Sequence, residues 1–516
     1  MGKHKHRWIL KLLLLGLIFN SCKPSPPNEE NDQPNIVLIL ADDLGWSDLG
    51  SYGGEILTPN LDQLATNGIR YTQFNNTSKC FPSRASLLTG LYAHQVGFAK
   101  THTNPIKNAI TLGELLKSVG YRTLWSGKHH GIENPLSKGF DRYFGLLDGA
   151  SNHFNPGIQR EGEAIPAQKR PDRTWYIDST MHRPYTPKKE FYTTDAFTDH
   201  ALDWIDEYKD ETSPFFLYLA YTAPHDPLMA WPEDIAKYRG KYKVGYDAIR
   251  KERIRKQREM GLLHDSSMIS DPTFEEWTSL SPEEQDREDL RMAVYAAMID
   301  RMDQNIGRVI QKLKMLGKQD NTLIIFVSDN GSSSEVVKIG GNGEIGTVGH
   351  WESLGKNWAN VSNTPFKFYK NYSYQGGIGT PLIVSWPKGI EQVNTINGSV
   401  GHFIDVLPTL MDVAGASYPK EYNGKAVEPY EGISFLPTFS GLTIKREKPL
   451  YWKWSDGKAM RKGDWKIVSE GTDTPWELYH LGNDPNETRN LAHENQEVVR
   501  QLDSLYQIWQ STHENY

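Results

Sequence analysis

Two apolar runs that lie far apart in the chain each end in side chains that carry oxygen ligands. The first run, Asn35–Ala41, reads NIVLILA, and the second, Thr322–Val327, reads TLIIFV. The residues that follow these runs are Asp42, Asp43, Asp329 and Asn330. Continuous runs of β-branched and aliphatic residues are typical of strands that are buried on both faces of a parallel sheet. Because open α/β sheets bind ligands at the carboxyl ends of their strands, we expect these oxygens to meet there.

Other segments extend this pattern into a large domain. Further strands are predicted at Arg122–Ser126, Phe215–Tyr221 and Pro381–Trp386, and a long amphipathic helix is predicted at Met292–Leu316. Alternating strands and helices favour an α/β fold. The sequence therefore predicts, over residues 34–444, a large mixed, mostly parallel central sheet flanked by helices.

The texture of the sequence changes at residue 445. Short strand-like runs are separated by Asp-Gly, Lys-Gly-Asp and Asp-Pro turns, and an amphipathic helix follows at 494–511. Closely spaced short strands with such turns are typical of antiparallel hairpins. Residues 445–516 are therefore predicted to form a small C-terminal antiparallel sheet plus helix subdomain.

The first 22 residues have the pattern of an export signal. Basic residues precede the apolar run Trp8–Phe19, which is too short to span a membrane comfortably, and Cys22 follows shortly afterwards. We interpret residues 1–22 as a lipoprotein-type signal peptide with Cys22 as the lipid acceptor, and 23–33 as a linker; a plain signal peptide is the alternative. The expected location is the periplasm or, through the lipid, the outer membrane of a Gram-negative bacterium.

Composition excludes some functions and draws attention to one thiol. The formal net charge of −7 argues against a nucleic-acid binder, so an anionic ligand must meet a local basic pocket. The chain has only 2 cysteines, Cys22 and Cys80. If Cys22 carries a lipid, Cys80 has no disulfide partner in an oxidising compartment. A chemical role for Cys80 is therefore expected.

Basic side chains also follow predicted strands. Lys128 and His130 come after the strand at 122–126, and His225 stands between two prolines after the strand at 215–221. Three carboxylates and an amide form an all-oxygen site that favours Ca²⁺, or alternatively Mg²⁺, over Zn²⁺. The basic groups suit a tetrahedral oxyanion.

These residues occur in motifs that resemble one family. The run Cys80-Phe-Pro-Ser-Arg84-Ala-Ser-Leu-Leu-Thr-Gly90 resembles the C-x-P-S-R-x-x-x-L-T-G signature of the formylglycine-dependent (type I) sulfatases of the alkaline phosphatase superfamily. Its further motifs follow in the family's order: Asp42-Asp43, Gly127-Lys128-x-His130, Pro224-His225-x-Pro227, Asp329-Asn330-Gly331 and Lys370 with Gly376-Gly377. The resemblance runs from residue 34 to the C-terminus and makes 34–444 the sulfatase catalytic domain.

The resemblance implies a sulfuric ester hydrolase that acts on a sulfated carbohydrate. A maturation enzyme would oxidise Cys80 to formylglycine, whose hydrate would be the nucleophile on the metal. The other metal ligands implied are Asp42, Asp43, Asp329 and Asn330. Arg84 would hold the hydrate, and Lys128 and Lys370 would neutralise the sulfate oxygens.

Two histidines would move the protons. His225 would protonate the leaving alcohol, and His130 would deprotonate the intermediate so that sulfate is expelled. The sequence leaves open which histidine takes which role. Gln375, His129 and Lys367 depart from residues that are frequent in the family, and none of them is a residue carried over as catalytic.

Two other functions remain open at this point. One is a phosphonate or phosphate monoester hydrolase of the same superfamily, since some phosphonate hydrolases share the Cys signature. His402 and Asp405 could be a remnant of the second metal site found in relatives that cleave phosphate esters, although a helix cap is the favoured interpretation of these two residues. The other is a catalytically silent glycan-binding lipoprotein, for which the 15 Trp and 25 Tyr would suit sugar stacking.

Overall fold

A computed structural model describes residues 33–513. The predicted signal peptide at 1–22, its Cys22 and all but the last residue of the linker at 23–33 lie outside the described residues. None of the described helices combines the length and the apolarity needed to cross a bilayer.

Strands and helices are interleaved in the described chain as far as residue 414. Two short strands come next, and the described chain ends in four strands and a helix. The strands are β1 (Asn35–Asp42), β2 (Ile69–Tyr71), β3 (Phe74–Asn75), β4 (Arg122–Gly127), β5 (Arg142–Leu146), β6 (Trp175–Ile177), β7 (Thr180–His182), β8 (Phe215–Pro224), β9 (Thr322–Ser328), β10 (Gly340–Gly341), β11 (His350–Trp351), β12 (Leu382–Ser385), β13 (Thr395–Asn397), β14 (Gly401–His402), β15 (Glu421–Tyr422), β16 (Lys425–Ala426), β17 (Leu450–Trp454), β18 (Gly457–Lys462), β19 (Trp465–Glu470) and β20 (Glu477–His480). The helices are α1 (Pro59–Thr66), α2 (Cys80–Thr89), α3 (Leu112–Ser118), α4 (Thr193–Glu207), α5 (Pro232–Ala236), α6 (Tyr246–Glu259), α7 (Pro282–Met315), α8 (Gly355–Ser362), α9 (Gln375–Ile378), α10 (Val406–Ala414) and α11 (Gln496–His513).

The central sheet has ten strands in the order β13-β2-β12-β9-β1-β8-β4-β5-β6-β7. The five strands from β9 to β5 are parallel, whereas β12, β6 and β7 join antiparallel. The fold class predicted from the sequence is therefore confirmed. In this sheet Ala41 pairs with Ser328, so the two acidic strand ends lie side by side.

Strand β1 is covered on both faces. Val37 and Ile39 pack with helices that include α1, α4 and α7, and Ile36 and Leu38 pack with α2, α3 and α10. All of its residues are buried. The continuous apolar run is explained by this position, since neither face of the strand meets solvent.

The long helix α7 begins earlier than the pattern of apolar residues predicts. Ser281 accepts a hydrogen bond from the Glu284 N–H, the Glu284 carboxylate accepts from the Ser281 N–H, and Pro282 occupies the first turn. This capping box starts the helix in a polar stretch where the apolar spacing gives no signal.

The C-terminal strands β17–β20 form an antiparallel sheet, and α11 packs against it. This agrees with the predicted small sheet plus helix. The same apolar cluster includes Tyr374 and Ile378, which follow Lys370 in the chain. The buried Glu487 carboxylate accepts from the Gln375 N–H at 2.7 Å and pairs with Lys466 at 2.5 Å. The C-terminal sheet therefore holds the segment that carries Lys370.

Replacing Glu487 by alanine tests this attachment. We expect Glu487→Ala to lower the free energy of unfolding by ~3–5 kcal/mol, because buried Lys466 loses its partner. Urea denaturation followed by tryptophan fluorescence measures the change. Glu494→Ala is the matched control, since Glu494 forms an exposed pair with Arg489 and its loss should cost less than ~1 kcal/mol. Equal effects of the two substitutions would contradict the attachment.

Candidate active site

The carboxyl ends of β1 and β9 bring four oxygen-bearing side chains together. Asp42 ends β1, and Asp43 adopts a left-handed backbone with φ 66°, which turns the chain out of the sheet. Asn330 donates from Nδ2 to Asp43 Oδ1 at 2.6 Å, and the Asp43 N–H lies 3.4 Å from Asp329 Oδ1. All four side chains are buried. The structure thus brings together the acids that the sequence placed at strand ends.

Each carboxylate of the cluster faces a cation. The three shortest pairs join Lys128 Nζ to Asp42 Oδ2 at 2.5 Å, Lys370 Nζ to Asp43 Oδ1 at 2.8 Å and Arg84 Nη2 to Asp329 Oδ2 at 2.8 Å. The three cations are themselves at most 2% exposed. Burying charges this far from water costs a large desolvation free energy. This cost is offset only when each charge is paired with an opposite one.

The pKa values of two acids in the cluster shift in opposite directions. Burial disfavours the charged form of Asp42, but Lys128 and His225 outweigh it and hold the pKa of Asp42 well below its usual range. Burial together with the Asp42 charge raises the pKa of Asp329 to about 6. Asp329 is therefore the acid of this pair whose charged form a further cation would stabilise more.

Two oxygens of the cluster fit a bound divalent metal. Asp42 Oδ1 and Asn330 Oδ1 are buried and have no hydrogen-bond partner within the described part of the chain. Buried acceptors are normally paired, so unpaired ones indicate a ligand. The set of carboxylate and amide oxygens matches the ligands of Ca²⁺ or Mg²⁺. His225 also offers a nitrogen within 4.8 Å of ligand oxygens of Asp42 and Asp43.

Helix α2 begins at Cys80 and carries Arg84 one turn later. The helix includes both residues, and Gly90, with φ 69°, ends it. The Cys80 thiol is buried and free. Burial opposes the charged form of Lys370, yet Asp43 and Cys80 raise the pKa of Lys370 well above its ordinary value. Cys80 therefore lies within the electrostatic reach of the cluster, at a helix end that favours anions.

His225 is held so that one ring nitrogen faces the acids. Nδ1 donates to the Asp226 carbonyl at 2.6 Å, which leaves Nε2 at 3.7 Å from Asp43 Oδ2. Burial lowers the pKa of His225, but Asp43 and Asp42 raise it to about 9. Nε2 is therefore the ring nitrogen that faces the acids and the space beside them.

His130 has the opposite character. It adopts a left-handed backbone with φ 65°, and its ring lies 4.9 Å from that of His102 and 5.6 Å from that of Phe81, measured between centroids. Burial and the Lys128 charge hold the pKa of His130 well below its ordinary value. The adjacent His129 is buried against Trp125 and is a core residue.

Several residues of the site carry no sequence motif and were missed. Glu335 pairs with Lys370 at 3.2 Å and with Lys79 at 2.8 Å. His153 contacts the His225 carbonyl through Nε2 at 3.0 Å. Both residues lie in long loops, where their positions depend on the fold and not on local spacing.

Two residues weighed as a second metal site are a helix cap. His402 Nδ1 accepts from the Ile404 N–H at 3.2 Å, and Asp405 Oδ2 accepts from the His402 N–H at 2.8 Å. The capping alternative is thus confirmed for these residues.

A buried ionic network fixes the loop that follows Asp43. Arg253 of α6 pairs with Asp48 at 2.7 Å and Glu55 at 2.8 Å. Asp48 in turn accepts from Tyr295 Oη at 2.8 Å, and this hydroxyl lies 3.0 Å from the Asp43 carbonyl. The sequence of α6 is almost entirely polar, which predicts a helix on the surface, and this prediction is wrong for Arg253, which is fully buried.

The carboxyl ends of the central strands bring buried acids and cations together beside a thiol. Such an arrangement suits an anionic ligand that meets basic side chains. The chain belongs to the sulfatase family. Residues 34–416 match the family model described as Sulfatase, and residues 366–511 match the model described as N-sulphoglucosamine sulphohydrolase, C-terminal.

Individual relatives agree with this assignment. An arylsulfatase of Klebsiella aerogenes is 35% identical over 78% of this chain and 92% of its own length. An uncharacterized sulfatase of Schizosaccharomyces pombe is 33% identical over 93% of this chain and 94% of its own. The crystal structure of Ps i-CgsB in complex with k-i-k-neocarrahexaose has a TM-score of 0.67 and 26% identity, covering 92% of each chain. The protein is thus an enzyme, a sulfatase.

Substitutions of Arg253 test the role of the buried network. Arg253→Ala should lower the free energy of unfolding by ~3–5 kcal/mol, because the buried Asp48 and the partly buried Glu55 lose their partner. Arg253→Lys should recover only part of this loss, since an ammonium group lacks the fork that reaches both acids. Thermal unfolding followed by circular dichroism provides the measurement. Lys251→Ala, on an exposed position of the same helix, is the control; a loss as small as this control's would refute the network.

Proposed function

We propose that this sulfatase removes sulfate from a sulfated carbohydrate, with formylglycine made from Cys80 and a divalent cation as its reactive groups. The observation that carries the proposal is the convergence of buried oxygens, two of them unpaired, with three cations beside the N-terminus of α2. The residues that would hold Ca²⁺, or alternatively Mg²⁺, are Asp42, Asp43, Asp329 and Asn330.

The reactive groups and the side chains around them divide the work. The formylglycine hydrate would supply an oxygen nucleophile, and the cation would increase its acidity and draw charge from the sulfate. Lys128 pairs with Asp42, and Lys370 pairs with Asp43. Both lysines would neutralise the sulfate oxygens as negative charge develops on them. Arg84 keeps Asp329 oriented through its ion pair, and it lies one helical turn after Cys80.

The two histidines suit opposite proton transfers. His225 holds its Nδ1 proton on a carbonyl, so Nε2 is the nitrogen that would donate to the leaving alcohol. The ring of His130 contacts that of Phe81. His130 would accept the proton whose removal releases sulfate and restores the aldehyde. We assign the roles in this order on geometry alone.

Different observations support the proposed substrate class and the proposed cellular location. A 26% identical structural neighbour was solved with k-i-k-neocarrahexaose, which supports a sulfated carbohydrate as substrate. The N-terminal pattern of residues 1–22 supports export, with a lipid at Cys22 holding the enzyme in the periplasm or on the outer membrane. Formylglycine requires a maturation enzyme as a partner in the same cell.

Substitution of Cys80 tests the nucleophile. We expect Cys80→Ala to reduce kcat for 4-nitrophenyl sulfate by at least ~10³-fold without altering the fold, because the group that becomes the nucleophile is gone. Cys80→Ser should do nearly the same if the maturation enzyme accepts only cysteine. Steady-state kinetics and circular dichroism on protein produced with the maturation enzyme measure both effects.

The matched control is the wild-type chain with and without maturation. Trypsin releases the peptide Cys80–Arg84, and its mass distinguishes an aldehyde from a thiol. Activity should rise in proportion to the aldehyde fraction. Full activity in protein that contains only the thiol, or faster turnover of 4-nitrophenyl phosphate than of the sulfate, would overturn the proposal.

Removal of the metal tests the ligand set. Dialysis against EDTA should abolish turnover, and returning CaCl₂ should raise Tm by ~2–5 °C because only the folded chain forms the site. Asp329→Asn should diminish this calcium-dependent shift. Glu428→Gln, outside the acidic cluster, is the control and should keep the wild-type shift. An unchanged Tm on addition of Ca²⁺ and Mg²⁺ would contradict the site.

A further inference from the structure

A cavity of about 590 Å³ lies between residues 94–104 and the C-terminal sheet and helix. Its walls include Trp454 and Lys453 of strand β17 and Trp509 of helix α11. The volume is in the range of ~300–1,000 Å³ that ligand sites occupy. None of its lining residues belongs to the acid and cation cluster, so the proposed reaction does not account for it.

Trp454 connects this cavity to the active site. Its ring lies 5.2 Å from the ring of Phe81, which follows Cys80 in the chain. Its Nε1 donates to Asn371 Oδ1 at 3.1 Å, and Asn371 follows Lys370. The same indole therefore lines the cavity and contacts the neighbours of two active-site residues. A ligand bound at Cys80 and extending past Phe81 would enter the cavity.

The cavity is lined by two lysines, Lys100 and Lys453, that form no ion pair with another described residue. Asp456 is the acidic side chain that the described residues contribute to the lining. Burial, with His513 and Lys453, lowers the pKa of His94 to about 4, which agrees with a cationic surrounding.

The indole of Trp454 supplies rigid apolar surface beside these ammonium groups, because it lines the cavity and is partly exposed. Trp509 forms a fixed wall behind it: its ring stacks on Tyr451 at 4.7 Å and on His513 at 4.9 Å, measured between centroids. Trp454 is therefore the ring on which a sugar could pack.

We propose that the cavity binds a second sugar unit of the substrate, one that carries its own anionic group, while the unit beside it presents its sulfate ester at Cys80. The Trp454 indole would pack on the apolar face of the sugar ring, and Lys100 and Lys453 would bind its sulfate or carboxylate. This subsite rests on the proposed function, because a sulfated carbohydrate must occupy the neighbouring active site. The enzyme would accordingly select oligosaccharides that are charged on adjacent units.

Binding measurements test the subsite without depending on turnover. In the Cys80→Ala background, isothermal titration uses k-i-k-neocarrahexaose, which is sulfated, and a chondroitin 6-sulfate hexasaccharide, which also carries carboxylates. For whichever probe binds more tightly, Lys453→Ala and Lys100→Ala should each raise Kd about 10-fold, because each removes a charge-assisted contact. The preferred probe tells which anion the cavity accepts.

Lys462→Ala is the matched control, since Lys462 is an exposed lysine of the adjacent strand β18 that does not line the cavity. Its Kd should stay within about 2-fold of the parent value. If Lys453→Ala fails to fold, Lys453→Gln is measured in its place, with Tm recorded. Unchanged Kd in both lysine variants, or no binding of either probe, overturns the subsite. Failure of the mature wild type to release sulfate from any ester would instead refute the proposed function.

Discussion

The crowding of acidic groups at one end of the central sheet is the constraint on which the rest of the structure depends. Asp42, Asp43 and Asp329 converge where water is excluded, although like charges in such a place repel strongly. Lys128, Lys370 and Arg84 offset the repulsion, and unpaired oxygens remain for a further cation. The site is therefore an electrostatic assembly that has to be held together by the surrounding fold.

That support comes from elements far away in sequence. Helix α6 uses Arg253 to fix the loop after Asp43, and the C-terminal sheet uses Glu487 to fix the segment after Lys370. Trp351 of β11 and Ser353, which follows this strand, donate to Asp226 beside His225. The subdomain that supports Lys370 also supplies Trp454, so the same packing that orders the active site forms the neighbouring cavity. If the cavity binds substrate as proposed, one structural unit supports both the selection of the substrate and the arrangement of the active site.

Much of this arrangement could be predicted from the sequence because it depends on local patterns. Apolar runs that end in acids predicted the positions of β1 and β9. Contacts made by single residues from distant segments could not be predicted. Arg253 lies in a polar helix whose spacing indicates solvent on all sides, and Glu335 lies in a loop without periodicity. Their roles arise from tertiary packing, which leaves no trace in composition or spacing.

A crystal structure of the mature enzyme, prepared in calcium, tests the central claim most directly. The account predicts a cation bound by Asp42 Oδ1 and Asn330 Oδ1 at ~2.3–2.6 Å, with an aldehyde or its hydrate in place of the Cys80 thiol. It would be contradicted if fully active crystals contained an intact thiol, or if lysine nitrogens or water filled the position between those two oxygens.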